Sequence, residues 1–202
     1  MGMFASLKIK RLVATAAIMC GLSLASSASA TTLDFYGSGA VGSKTIDILF
    51  GDLTVNVEGS RKLRINHTGI GLQNPPKTNK NTIQPGQTVT LTFAREVTLI
   101  SAILAEHGQK TEYGQVSLVG GPSVNFALDG AGTSSHFVDF SGTTGFTGTS
   151  FVFGSLASGD NKPGFRIDSI VVATPLPASG VLILAALGGL AVMRRRSHAK
   201  AA

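Results

Sequence analysis

The sequence predicts an all-β fold, an antiparallel, jelly-roll-like β-sandwich flanked by an N-terminal signal helix and a C-terminal transmembrane helix. Three observations predict it. Apolar residues between positions 31 and 173 alternate with polar ones in short runs, at the period of two that belongs to strands. Gly, Pro, Asn and Asp clusters separate those runs. No run of adequate length in that stretch carries a helical period; Ala102 to His107 comes nearest and reads as strand plus turn.

Residues 1–30 have three parts. Lys8, Lys10 and Arg11 precede an apolar run from Leu12 to Leu24, and Ala28-Ser29-Ala30 follows as a small-residue cleavage site. The apolar run is shorter than an ordinary span of ~20 residues. Signal-peptide removal after Ala30 would leave Thr31 as the new N-terminus. A buried core helix would explain neither the charges before the run nor the small residues after it.

The strands of the middle domain, residues 31–173, then follow. Thr32 to Tyr36, Thr45 to Leu49 and Leu53 to Val57 alternate, and Thr88 to Phe93 does so strictly. Val97 to Leu104, Tyr113 to Val119, Ser123 to Leu128, His136 to Phe140, Ser150 to Phe153 and Phe165 to Val172 complete the set. Pro85-Gly86, Gly120-Gly121-Pro122, Asp129-Gly130 and Ser158-Gly159-Asp160-Asn161 supply the turns. One polar side per strand implies sheets with a wet face. A domain of this length can bury a sandwich core without staples.

Residues 174–202 form the C-terminal segment. Thr174-Pro175-Leu176-Pro177 is held extended by its prolines. Val181 to Met193 is apolar apart from its glycines, and Arg194, Arg195 and Arg196 stop it on what the positive-inside rule makes the cytoplasmic side. Pro175-Leu176-Pro177-Ala178, an apolar helix with Gly188-Gly189 and three arginines together resemble a VPLPA-type PEP-CTERM sorting signal, with Thr174 where the motif has Val. That resemblance implies recognition by an exosortase-type processing enzyme and cleavage near the motif. It also implies passage through an inner-membrane intermediate to the cell surface or an extracellular polysaccharide matrix. A plain membrane anchor is the alternative. Two weaker likenesses lie inside the domain. The stretch Gly164 to Val172 resembles the closing strand of exported sandwich modules, and Gly69 to Phe93, read as a Gly-rich loop, Ile83-x-Pro85-Gly86-Gln87 and a strand, is similar to uncharacterised surface modules with this anchor.

Charge and cysteine content narrow the function classes. The chain carries +6 overall, but the ends hold seven of the 17 basic residues and no acid, so residues 31–193 sum to −1. No basic stripe lies on the domain, which argues against a nucleic-acid partner. The single cysteine, Cys20, lies in the N-terminal apolar run, preceded by Met19 where lipid attachment wants a small residue. The domain therefore has no disulfide or thiolate metal site.

Candidate chemistry is sparse. His67, His107 and His136 show no zinc-motif spacing. Ser134, Ser135, His136 and Asp139 invite a triad, but on a strand His136 and Asp139 face opposite sides. Glu58, Glu96, Glu106 and Glu112 are the acids for a glycosidase pair, which needs carboxyls about 5–10 Å apart. All four read as solvated charges at strand ends or turns. Asp160, Asn161 and Asp168 offer oxygen ligands for a weak calcium site without a D-x-D-x-D-G pattern. Sugar binding through stacked aromatics has little material: no Trp, Tyr36 and Tyr113 as the only tyrosines, and phenylalanines mostly at core positions. Arg61, Lys62 and Arg64, followed by His67, form a local basic patch that could meet an anionic polysaccharide or simply protect a strand edge. Asn66-His67-Thr68 matches an N-glycosylation triplet by chance. The expectation is a non-catalytic structural or adhesive surface protein, with extracellular polysaccharide as the candidate ligand; an exported polysaccharide-acting enzyme and a plain membrane-anchored surface protein are the alternatives.

Overall fold

Alternating side chains produce twelve strands among the described residues. The computed structural model describes residues 29–37, 39–40, 42–74, 81–106, 111–129, 134–158 and 164–174. The strands are β1 (Ser29–Asp34), β2 (Gly39–Ala40), β3 (Thr45–Phe50), β4 (Leu53–Gly59), β5 (Leu63–Asn66), β6 (Gly69–Leu72), β7 (Thr88–Glu106), β8 (Glu112–Leu118), β9 (Ser123–Leu128), β10 (Ser135–Asp139), β11 (Thr147–Ser158) and β12 (Phe165–Thr174). Residues Ala30–Thr174 form one compact unit. The signal residues up to Ala28, the Pro175–Ala178 motif and Arg194 to Arg196 lie outside the described residues, as do Asp160, Asn161 and His107. Ala30 and Thr31 lie in β1, which begins at Ser29, two residues before the expected N-terminus.

All paired strands run antiparallel, and one long strand ties them into two layers. The first half of β7 lies between β4 and β11, its second half between β12 and β10. The strand turns the corner at Ala94, Arg95 and Glu96, three consecutive exposed residues that break the alternation. One layer therefore runs β3-β4-β7-β11-β8-β9. The other runs β2-β5-β6-β12-β7-β10, with β1 also on β12. Two runs expected as separate strands, Thr88 to Phe93 and Val97 to Leu104, are thus one bent strand.

The layers close on phenylalanines. Phe126 of β9 meets Phe165 of β12 edge-on at 5.3 Å between ring centroids, and Phe35, just after β1, meets Phe50 of β3 at 5.5 Å. Both contacts cross from layer to layer, so the fold is a β-sandwich. Each such pair contributes about 0.5–1.5 kcal/mol beyond the area it buries. Phe93, Phe140, Phe146, Phe151 and Phe153 are buried, whereas Phe137 points outward from β10 at 69% exposure.

Three expectations need correction. Gly69 to Leu72 is the buried strand β6 and not a loop. Its glycines make room for neighbours: a Cβ on Gly69, which has φ +102, would sit 2.1 Å from the Ile167 carbonyl oxygen, and one on Gly71 would sit 1.9 Å from that of Asn81. Local propensity reads such glycines as loop; close backbone approach is what selects them. Second, β12 has no wet face. Arg166, Asp168 and Ser169 are buried alongside Phe165 and Ile167. Third, Glu112 is not a solvated strand end. It opens β8 opposite Leu128 and Ser158 on an inward position and is fully buried.

Candidate functional site

The turn from β4 to β5 carries Ser60 and Arg61 and faces the turn that leads into β7. Between them is an open-sided cleft of about 430 Å³, lined by Ser60, Arg61, Gln84, Pro85, Gly86 and Gln87. The second wall is a hydrogen-bonded turn. Pro85 presets its own φ, Gly86 takes φ +78, and the Gln87 amide donates to the Gln84 carbonyl at 2.9 Å, the pattern of a type II turn.

Side-chain amides hold that wall in place. Gln87 Oε1 accepts from the Gln84 backbone amide at 3.0 Å, while Gln87 Nε2 donates to Asn74 Oδ1 at 2.8 Å. Asn74 Nδ2 in turn donates to the Thr82 carbonyl at 2.8 Å. The first wall is pinned as well: Ser60 Oγ accepts from the Thr88 amide at 3.1 Å, and the Ser60 amide donates to the Thr88 carbonyl at 2.9 Å. Fixed polar walls cost little to order around a ligand. The cleft's lining is polar, cationic at Arg61 and without an aromatic platform, so it suits hydroxyl-rich or anionic groups held by hydrogen bonds.

The basic stretch is split by the strand. Arg61 and Lys62 are exposed before β5, and Arg64 is half-buried within it, on the face shared with Gly71 of β6. His67 is exposed in the β5–β6 turn. In that turn Asn66 Oδ1 accepts from both the Thr68 amide and the Thr68 hydroxyl at 2.9 Å, so the triplet acts as an Asx turn. The Thr68 hydroxyl also accepts from Arg166 Nη1, and Arg166 Nε donates to the Asn81 carbonyl at 2.7 Å. Sequence reading missed Arg166. An arginine in a strand whose neighbours alternate reads as outward and wet. Burial lowers its pKa to about 10, with the charge of Arg64 adding to the effect.

Asp168 lies two residues on. Its carboxyl is held above the usual range by burial, with Asp34 pushing the same way and the Tyr36 hydroxyl partly offsetting. Tyr36 is raised in return, chiefly by the Asp168 charge. Among the described residues none donates a hydrogen bond to Asp168 Oδ1. Its calcium companions fall outside the described residues, and among the described residues no three acid, His or Cys side chains come together.

Ser134 and His136 do meet, with Oγ 2.9 Å from Nε2, but Asp129 Oδ1 approaches the same Nε2 at 3.4 Å. A triad needs the acid on the ring nitrogen opposite the serine, whereas here Ser134 and Asp129 both approach Nε2. Asp139 instead caps its own turn: its carboxylate accepts from the Ser141 amide at 2.8 Å and is thereby lowered. Glu58 and Glu96 are exposed on separate strands, and Glu112 is in the interior.

The wider face of the first layer is polar and regular. Thr88, Thr90 and Thr92 on β7 stand beside Ser150 and Val152 on β11, with Gln115 and Ser117 on β8 beyond. Ladder bonds such as Thr92 Oγ1 to Ser150 Oγ at 3.0 Å and Gln115 Nε2 to Asn125 Oδ1 at 2.8 Å knit it together. Tyr113, at 48% exposure, sits at its end.

No family model matches the chain, and no curated protein matches it. Among solved structures, an X-ray structure of GH31 CBM32-2 bound to GalNAc superposes with a TM-score of 0.31 at 10% identity, covering 74% of this chain and 99% of that chain. Similarity at this level defines neither a shared fold nor a shared site.

Proposed function

We propose that this chain is an exported, non-catalytic surface or matrix protein whose jelly-roll-like sandwich binds extracellular polysaccharide through the Ser60–Arg61 and Gln84–Gln87 cleft. The observation that carries the binding part is the cleft itself. Its walls are polar, are fixed by side-chain amide hydrogen bonds and hold a guanidinium at the rim. The same walls hold no carboxylate, which leaves hydrogen-bonded recognition of hydroxyl-rich polymer as the chemistry they fit. The export part rests on sequence. The charged, apolar and small-residue order of residues 1–30 supports a signal peptide, and Pro175 to Arg196 supports exosortase sorting through a membrane intermediate.

Two measurements test this reading. A glycan array probed with the full chain and with Arg61→Gln should show polymer binding that the substitution weakens about tenfold, the loss of one charge-assisted hydrogen bond of roughly 1.5 kcal/mol. Absence of binding to any glycan removes the cleft assignment. Mass spectrometry of the mature protein should find a C-terminus near Pro177 to Ser179; an intact Ala202 would leave a plain anchor.

A further inference from the structure

Two arginines far apart in sequence share one row of the second layer. Arg64 of β5 pairs across from Gly71 of β6. The Ile70–Ile167 pairing then sets Gly71 beside Arg166 of β12. The row reads Arg64, Gly71, Arg166, all on the same face. The middle position has no side chain and is covered by the Asn81 carbonyl, 1.9 Å from where a Cβ on Gly71 would lie, with Arg166 Cγ next at 3.1 Å.

The charge in this row is unbalanced. Arg166 is 5% exposed, and its two hydrogen bonds go to a carbonyl and a hydroxyl, both neutral. The ion pairs among the described residues are Arg95 with Asp52 and His136 with Asp129; neither Arg64 nor Arg166 has one. The charged group that acts on Arg166 is Arg64, and it repels. A guanidinium withdrawn from water beside a second guanidinium is costly unless an anion joins them. Arg166 is already oriented by Thr68 and Asn81, which leaves Nη2 and one Nη1 hydrogen for a ligand. A planar guanidinium fork matches a carboxylate or sulfate.

We propose that Arg64 and Arg166, which flank Gly71 and the Asn81 carbonyl covering it in one row, form an oxyanion site that takes the carboxylate or sulfate group of an acidic polysaccharide. The polymer as the source of the anion rests on the binding reading above; the arginine row does not. Arg64 is the variable partner, half-buried and without a side-chain hydrogen bond among the described residues, whereas Arg166 also braces the Thr68 turn.

Calorimetric titration of the full chain in detergent tests the site, with oligogalacturonate, a neutral oligosaccharide of equal length and inorganic sulfate as probes. Oligogalacturonate is expected to bind at least tenfold tighter than the neutral oligomer. Arg64→Gln should abolish that preference while leaving the unliganded melting temperature unchanged or raised, because it removes a repulsion. Arg61→Gln should keep the preference. Equal binding of oligogalacturonate by wild type and Arg64→Gln overturns the site. A lowered unliganded melting temperature in Arg64→Gln assigns the residue a structural role and also overturns it. Binding of sulfate without oligogalacturonate overturns the polymer as source. Neutral oligomer bound through Arg61 without charge preference overturns this site and leaves the cleft standing.

Discussion

The two outer faces of the sandwich begin with the same alternation and end in opposite states. On the first layer, outward threonines, serines and amides of β4, β7, β8 and β11 meet water and one another. On the second layer, the outward residues of β6 and β12 are covered, so Arg166, Asp168 and Ser169 are polar and buried. A polar group that stays hydrated needs no particular partner; one taken out of water needs a fixed one. The first face therefore tolerates change. The second carries perturbed groups, glycines packed under neighbouring backbone and hydrogen bonds that link distant segments.

Matched substitutions should expose that contrast. The largest effect is expected from Gly69→Ala compared with Gly120→Ala. Both glycines have positive φ, but a Cβ on Gly69 meets the Ile167 carbonyl, whereas one on Gly120 meets nothing within 4 Å. Gly120→Ala should cost about 1 kcal/mol of strain, and Gly69→Ala about 2–6 kcal/mol by adding overpacking to strain. Urea denaturation of the full chain measures both; equal costs would mean that the second layer opens more easily than its packing implies.

Threonine pairs give the next contrast. Thr68→Ala strips the buried Arg166 guanidinium of a partner and should cost about 1–3 kcal/mol. Thr92→Ala, which removes an exposed bond to Ser150, should stay within about 0.5 kcal/mol. A comparable loss at Thr92 would show that the wet ladder is structural after all.

The smallest effects are in pH dependence, and their signs differ between two aspartates. Asp168 has a raised folded pKa, so the folded state holds its proton to higher pH than the unfolded chain does. Its contribution is most favourable below the ordinary carboxylate range and is lost as pH rises through the raised value. Asp168→Asn should flatten that decline. Asp139 has a lowered folded pKa, so its contribution is present above the ordinary range and is lost as pH falls. Asp139→Asn should therefore matter only at neutral pH. Melting temperatures between pH 3 and pH 7 separate the two; slopes of the same sign would contradict the assigned environments.

The strands of the first layer were legible because each is a local pattern. Ser123 to Leu128 forms as expected, and β3 and β4 match closely. Of the candidate site, only Arg61 and the Pro85-Gly86 turn could be picked out. Their meeting across a cleft depends on where β4 ends and β7 begins. Strand β6 was obscured by two glycines that lower strand propensity, and the buried state of Glu112 by its place at the end of a run.

The amino-acid order by itself determined the all-β class, the inward set of phenylalanines and the near-neutral charge of the middle domain. Each follows from side-chain type at a period of two or from counting. Only the tertiary structure decided that β7 bends to serve both layers, that β12 is covered on both faces and that Arg64 and Arg166 lie in one row. The physical reason is that register between strands distant in sequence is fixed by core packing and backbone approach, and no local pattern encodes it.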